Sequence, residues 1–200
     1  MTSSSLDELI LALGSLPGVG RKSAQRMALH LLERDQAAAQ RIADALNSAL
    51  EKTKHCQQCR NFCDSDVCEI CSDTERDQGT ICVVEAPADV IAVESSAAFR
   101  GRYFVLLGKL SPLDGYGPEQ LGLELLEQQL GEHSIREIIL ATSATVEGDI
   151  TAQYIADFAA SHGVSSSRLA RGIPLGGELE FVDSGTLSRA LSGRQQLDQS

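Results

Sequence analysis

Four cysteines in the pattern Cys-x2-Cys-x8-Cys-x2-Cys place the strongest constraint on how this chain folds. Cys56, Cys59, Cys68 and Cys71 form two pairs, and each pair can present two thiolates from one turn of backbone. Two facing turns supply the tetrahedral sulfur set that zinc prefers. The segment around them is polar, so a zinc ion supplies stabilisation that an apolar core cannot. Because four sulfurs leave no open position for water, we predict one structural Zn2+ per chain without catalysis.

An alternative for these cysteines is redox chemistry. Redox-active Cys-x-x-Cys motifs usually begin a helix after a strand, whereas these pairs lie in a polar segment. Cys63 lies between the pairs and could replace Cys59 or Cys68 as a ligand, although the symmetry of the pairs favours the set named above. Cys82 lies in an apolar run and is predicted to be a core residue.

The charge of the chain restricts where nucleic acid can bind. The formal net charge is −11, which argues against nucleic-acid binding because neutralised phosphates supply most of that affinity. The balance reverses between Leu16 and Arg34, where four basic residues face one acid. No apolar run is long enough to cross a membrane, and Met1 to Ser5 lack the pattern of a secretory signal. We therefore expect a cytoplasmic protein with any DNA contacts near its N-terminus.

Periodicity divides the chain into four regions and predicts an α+β protein of several modules. Residues 1–54 form an N-terminal helical hairpin module, residues 55–76 a small four-cysteine zinc module and residues 77–175 an α/β domain. In that domain strands alternate with helices, which predicts a mainly parallel sheet. Residues 176–200 form a C-terminal tail with a turn at its two leading glycines and a short helix near Thr186 to Leu191.

The expected elements follow from apolar spacing and from capping signals. Ser5 and Glu8 form a capping-box pattern ahead of a first helix from Leu6 to Ser15. A second helix begins near Arg21, and a third follows it. The expected strands of the α/β domain are Ile81 to Glu85, Tyr103 to Leu107, Ile138 to Thr142 and Arg168 to Ala170. Its expected helices are Ala88 to Ala98, Pro118 to Leu130 and Thr151 to His162.

A glycine turn followed by a basic helix is the candidate DNA-binding site. Gly18 and Gly20 lie in the sequence Leu-Pro-Gly-Val-Gly, and Arg21, Lys22 and Arg26 follow. Glycines let backbone approach a phosphate closely, and the free N–H groups of the next helix favour an anion. The pattern is typical of helix-hairpin-helix modules, which contact phosphates and carry little sequence preference. The alternative is an ordinary helix-turn-helix corner with a solvated basic face.

Four acids follow expected strands of the α/β domain. Glu85 ends the first strand and is followed by Asp89, while Glu147 and Asp149 follow a later strand. Parallel sheets bind ligands at the carboxyl ends of their strands, and grouped acids there could hold Mg2+ for phosphoryl chemistry. An alternative fits equally well, in which Glu147 and Asp149 only cap and charge the start of the next helix.

This region resembles the Toprim domain of topoisomerases and primases. Glu85 and the Glu147-Gly148 dipeptide match the family pattern, whereas Ser143 and Thr145 stand where those enzymes carry an Asp-x-Asp pair. The resemblance implies a Toprim fold whose catalytic metal site has been lost, because two anionic ligands are replaced by neutral hydroxyls.

The order of the modules resembles the RecR family of bacterial recombination mediators. Further stretches that match this family are Cys82-Val83-Val84-Glu85, residues 108–115 (GKLSPLDG), residues 147–152 (EGDITA) and residues 172–180 (GIPLGGELE). Small departures are Ser143-Ala144, where the family usually has Asn-Pro, and Asp149, where it often has Glu.

The resemblance implies a role without catalysis. Proteins of this family form dimers or tetrameric rings on single- or double-stranded DNA, act with RecO and RecF, and promote loading of RecA at gaps. The family is bacterial, which implies a cytoplasmic protein that joins the nucleoid when it acts on DNA. Two other functions stay open from the residues alone: a Mg2+-dependent Toprim nuclease or primase using Glu85, Glu147 and Asp149, and a zinc-stabilised scaffold that binds only proteins.

Overall fold

The computed structural model describes residues 4–112, 115–132 and 135–194, without the side chain of residue 132. Leu113 and Asp114, which belong to one of the family-like stretches, and the end of the tail from residue 195 lie outside the described residues. The chain divides into two compact units, residues 1–54 and residues 55–200.

The first unit consists of three helices. These are α1 (Ser5–Gly14), α2 (Arg21–Glu33) and α3 (Gln36–Lys52). Ala24 and Ala28 are the buried residues of α2, and the Cβ of Ala24 lies 3.7 Å from where a side chain on Gly14 would begin. Small residues thus let α1 and α2 pack closely. The predicted capping box was displaced by one residue, because Ser4 and Asp7, rather than Ser5 and Glu8, bond each other's backbone N–H groups.

The second unit begins with the cysteine module. Two short strands, β1 (Lys54–His55) and β2 (Phe62–Cys63), form a two-stranded sheet, and α4 (Glu69–Ser72) follows. The backbone N–H of Cys56 donates to the Asn61 carbonyl at 2.8 Å, and that of Gln57 donates to Asp66 at 2.9 Å. These hydrogen bonds fold residues 55–72 back on themselves without a sizeable apolar core.

A four-stranded parallel sheet forms the centre of the second unit. Its strands are β3 (Asp77–Val84), β4 (Gly101–Val105), β5 (Glu137–Ala141) and β6 (Ser165–Arg168), in the order β4-β3-β5-β6. The chain leaves β3 towards β4 and leaves β5 towards β6, so the strand order reverses between β3 and β5. Parallel sheets of this kind bind ligands beside such a reversal.

Helices cover both faces of this sheet. They are α5 (Pro87–Ser95), α6 (Leu123–Glu132) and α7 (Val146–Ser161), and α8 (Ser184–Ser192) follows in the tail. Phe104, Leu126 and Ile155 belong to the larger core, on the face that α6 and α7 cover. Val84 and Val90 belong to a smaller core, on the face that α5 covers. The predicted α+β class, with a parallel sheet after a helical and a cysteine module, is confirmed.

Several elements differ from the sequence expectation. Helix α6 begins at Leu123 rather than Pro118, and β3 begins at Asp77 rather than Ile81. The last strand is Ser165–Arg168 rather than Arg168 to Ala170, and it has a polar sequence at the edge of the sheet, so its pairing with β5 defines it. Helix α7 begins at Val146 rather than Thr151 because the Thr145 side chain caps it by accepting from the Gly148 N–H at 3.2 Å. Among the described residues no helix is long and apolar enough to cross a membrane.

Candidate metal centre and nucleic-acid interface

The four predicted zinc ligands converge on one point. The sulfur atoms of Cys56, Cys59, Cys68 and Cys71 all lie within 4.8 Å of one another. Zinc–sulfur bonds of about 2.3 Å separate the corners of a tetrahedron by about 3.8 Å, so this spacing fits a zinc ion. The first three cysteines are buried and Cys71 is half-buried, which leaves no open side for a substrate.

The backbone around the cysteines orients their sulfurs. The Cys68 N–H donates to Cys56 Sγ at 3.3 Å, and Cys68 is the residue that precedes the short helix α4, which carries Cys71. Hydrogen bonds from Cys59 and then from Cys71 lower the pKa of Cys68. The same sulfur contacts raise the pKa of Cys59 and Cys71, so only the thiolate of Cys68, the form that binds metal, is favoured.

The two remaining cysteines lie outside the sulfur cluster. Cys63 packs against it, but its Sγ donates to the Ser65 carbonyl at 2.9 Å, and the cluster of four contains only the symmetric pairs. Cys82 is a core residue of β3, and burial, followed by the charge of Asp89, raises the pKa of its thiol to about 11.

Arg60 joins the cysteine module to the parallel sheet, a role that sequence reasoning missed. Its backbone has φ of 63°, in the left-handed region. The guanidinium donates to the carbonyls of Leu106 at 3.2 Å, Gln120 at 3.0 Å and Leu121. Burial lowers the pKa of Arg60. The Cys59 carbonyl also accepts from the Val105 N–H at 2.8 Å, so the module is fixed to strand β4.

The glycine turn between α1 and α2 is exposed and open. Gly18 has φ of 78°, a conformation that favours glycine, and no atom lies within 4 Å of the position that a Cβ would occupy. Gly20 has an ordinary φ of −76° and equally empty surroundings. The fold itself therefore gives no steric reason for glycine at position 20. A ligand that approaches the backbone closely gives one, because a side chain would occupy its space.

The basic residues lie on the exposed surface of α2. Gly20 is the N-cap and has no side chain to bond the free N–H groups of the first turn. Arg21, Lys22 and Arg26 are all exposed. Lys22 and Arg26 also line a shallow surface groove with Arg34. Free N–H groups and nearby cations together make a suitable site for phosphate.

Glu85 and Ser143 meet where the strand order reverses. Glu85 follows β3, and its Oε1 accepts from both the N–H and the hydroxyl of Ser143, each at 2.8 Å. The Ser143 hydroxyl lies 3.0 Å from that of Thr145. The two residues at the Asp-x-Asp positions thus form a hydrogen-bonded chain that ends on Glu85.

The other three acids have separate partners. Lys109 Nζ lies 3.4 Å from the Thr145 hydroxyl and 3.9 Å from the Glu147 carboxylate. Asp149 pairs with Arg168 at 2.9 Å and Arg171 at 2.8 Å, and hydrogen bonds from Arg171 and Arg168 lower its pKa. The Asp89 side chain accepts from the Ala86 N–H at the start of α5. In the part of the chain that the structure describes, these acids form no group of three suited to a metal ion.

Comparison with protein-family models identifies each module. Residues 6–50 match the RecR helix-hairpin-helix, residues 53–73 the RecR zinc finger domain with four cysteines, residues 79–170 the Toprim domain, and residues 172–195 the RecR C-terminal region. With the converging sulfurs of the four cysteines, the second match confirms the structural zinc ion.

Comparison with curated proteins gives the same result over nearly the full chain. "Recombination protein RecR" of Saccharophagus degradans is 53% identical over 197 residues, which cover 98% of this chain and 100% of that protein. "Recombination protein RecR" of Xanthomonas axonopodis pv. citri is 54% identical over 195 residues, covering 98% and 99%. A third, from Xanthomonas campestris pv. campestris, is also 54% identical over 195 residues.

Proposed function

The chain belongs to the RecR family of recombination proteins, and from that premise we propose that it is a ring-forming recombination mediator without catalysis of its own. Its general role is in DNA recombination and repair, with DNA as a partner. In our proposal it acts with RecO and RecF to promote RecA loading onto single-stranded DNA at gaps. Its site of action is the bacterial cytoplasm, on the nucleoid.

The observation that carries this proposal is the open glycine turn beside a basic helix. Gly18 and Gly20 are exposed with empty surroundings, and the first turn of α2 has no side-chain cap. Arg21, Lys22 and Arg26 add positive charge beside it. A phosphate bound there gains backbone hydrogen bonds and charge but no base contact, so binding is independent of sequence and takes single- and double-stranded DNA.

A ring of subunits reconciles DNA binding with the net charge of −11. One basic turn neutralises few phosphates, whereas several copies around one DNA add their contributions. Support for self-assembly comes from exposed apolar side chains, which monomers rarely display in quantity. They include Leu175 just before the tail, three on α3 and three in the tail: Ile42, Leu46, Leu50, Leu179, Phe181 and Leu191.

In this proposal the acids of the Toprim domain bind a partner rather than a catalytic metal. Glu85 already accepts two hydrogen bonds from Ser143. Asp149 pairs with Arg168 and Arg171. Asp89 accepts a hydrogen bond from the backbone at the start of α5. Glu147 lies at an exposed edge, with Lys109 as a neighbour. An acidic edge of this kind suits a basic protein such as RecO.

The test of the DNA site is a triple variant, Arg21→Ala/Lys22→Ala/Arg26→Ala, in a filter-retention assay. We expect retention of DNA to be abolished at moderate salt. The slope of log affinity against log salt should fall by about two to three, because each lost phosphate contact contributes about 0.7–0.9. The matched control removes three exposed basic residues elsewhere, as Arg41→Ala/Lys52→Ala/Arg100→Ala, and should retain DNA.

Three outcomes would contradict the proposal. Unchanged retention by the triple variant would remove the glycine turn as the DNA site, and a complete lack of salt-sensitive binding in the wild type would favour a scaffold that binds only proteins. Magnesium-dependent cleavage of DNA that is lost on Glu85→Gln would instead identify a Toprim nuclease.

A further inference from the structure

The cysteine module carries a groove that none of the roles above uses. It lies between β2 and α4 and measures about 530 Å³. We name it the zinc-module groove and define it by six of its lining residues: Phe62, Cys63, Asp64, Cys68, Glu69 and Ile70. Cys68 is buried and Cys63 and Ile70 are half-buried, whereas Phe62, Asp64 and Glu69 are exposed. The groove therefore combines a partly apolar floor with an aromatic and acidic rim.

The Phe62 ring is packed against the protein on one face only. Its ring stacks on the His55 ring, with centroids 4.8 Å apart and planes 24° from parallel. The side chain nevertheless keeps 55% of its surface exposed. A ring fixed on one face and open on the other loses little freedom when a second apolar group packs against it.

Acidic residues predominate in the segment of the chain around the groove. Residues 61–75 contain no lysine or arginine. All five acids in this segment are exposed: Asp64, Asp66, Glu69, Asp73 and Glu75. Of the flanking arginines, Arg60 donates to carbonyls of the sheet domain. Arg76 bonds Glu94 and the Gly101 carbonyl, and it also lies 3.7 Å from the Asp73 carboxylate.

The metal centre strengthens this negative charge. A Zn2+ ion with four thiolate ligands carries a net charge of about −2, and the ligand Cys68 also lines the groove. Nucleic acid is therefore repelled from this surface. A second copy that presents this same acidic groove is repelled as well, because the two surfaces carry charge of the same sign.

We propose that the zinc-module groove docks a basic segment of a partner protein that carries one aromatic or aliphatic anchor. The anchor packs between Phe62 and Ile70, and a flanking lysine or arginine pairs with Glu69. This surface is distinct from the glycine turn, so its test does not depend on DNA binding.

The experiment uses the full-length, zinc-loaded chain and a short synthetic peptide of alternating lysine and serine with one central phenylalanine. Amide NMR shifts on titration should concentrate in residues 61–70. Phe62→Ala and Glu69→Lys should each weaken binding by about tenfold, as expected for residues at the centre of a contact. A peptide with serine in place of phenylalanine should bind about tenfold more weakly.

Glu75→Lys is the matched control, since it makes the same charge change on an exposed residue outside the groove. It should weaken binding by less than about threefold, because separated surface charges are screened. Several results would overturn the proposal: no binding, shifts spread over the whole chain, equal weakening by Glu75→Lys, or no preference for the phenylalanine peptide. A fall in the mass of the chain itself on Phe62→Ala would identify a second copy as the occupant and overturn it as well.

Discussion

The cysteine module and the carboxyl edge of the parallel sheet each contain four side chains of a metal-binding type, yet their arrangements differ. The four sulfurs lie within 4.8 Å of one another, whereas the acids are divided among different partners. Glu85 bonds Ser143, Glu147 lies near Lys109, Asp149 pairs with two arginines, and Asp89 caps a helix.

The difference shows which region depends on a metal. Clustered thiolates repel each other and have few other partners, so the cysteine module folds with the ion. The acids are already compensated by cations and hydrogen-bond donors of the protein, so this edge of the sheet is stable without Mg2+. We therefore regard the zinc as structural support for the module, whereas the carboxyl edge of the sheet needs no metal to fold.

The largest expected effect comes from removing zinc ligands. Cys68→Ser/Cys71→Ser should lose zinc and unfold the cysteine module, because structural zinc sites contribute about 10 kcal/mol or more to folding. Assembly should weaken first, with DNA binding lost as a consequence. Zinc content and thermal unfolding measure this, and Cys63→Ser is the control that should keep its metal. A stable, ring-forming double variant without zinc would show that the ion has no structural purpose.

A second prediction concerns the acidic edge of the sheet. Ser143→Asp/Thr145→Asp/Lys109→Ala should gain affinity for Mn2+ by at least about tenfold over the wild type. Two carboxylates are added and the competing ammonium is removed, which creates an oxygen-rich site beside Glu85. Paramagnetic broadening of nearby amide signals measures binding, with Lys109→Ala alone as the control. Tight binding of Mn2+ by the wild type, lost on Glu85→Gln, would contradict the comparison.

A third prediction tests the connection between the two regions. Arg60→Ala should lower the free energy of unfolding by about 2 kcal/mol, because charge-assisted hydrogen bonds to several carbonyls are lost. Denaturant unfolding measures the change, and the exposed Arg100→Ala should alter it by less than about 0.5 kcal/mol. An equal effect from both variants would mean that Arg60 does not fix the module to the sheet.

The smallest expected effect is a loss of stability at low pH that comes from a carboxylate in the sheet domain. A hydrogen bond from Arg76, followed by one from Tyr103, holds the pKa of Glu94 below its ordinary value of 4.5. Because the folded pKa is the lower one, Glu94 adds stability above pH 4.5 that is lost as the pH falls through the folded pKa. Urea unfolding between pH 6 and about 3 should show this decline. Glu94→Gln should reduce the loss of stability at the acid end of this range. A pH profile identical to that of the wild type would refute the prediction.

Features with local causes were predictable from the sequence. The cysteines are close along the chain, and their spacing alone selects the right four. The strands β3 and β5 are apolar runs, and their expected ranges overlap the observed ones. The helical hairpin follows from periodicity interrupted by Gly18 and Gly20.

Features with distant causes were not predictable in the same way. Arg60 bonds carbonyls 46 and 61 residues further along the chain, and nothing in its neighbourhood marks it. Strand β6 is polar and depends on its pairing with β5. Lys109 reaches Thr145 across 36 residues, so the compensation of the acidic edge appears only in the folded chain.

The most direct test of the central claim is a measurement of mass in solution, with and without gapped DNA and RecO. A ring-forming mediator should have a mass that is a multiple of the 21.4 kDa chain, and it should form larger complexes with DNA, with RecO and with both together. A chain that stays monomeric at all concentrations and gains no mass from either partner would contradict the account.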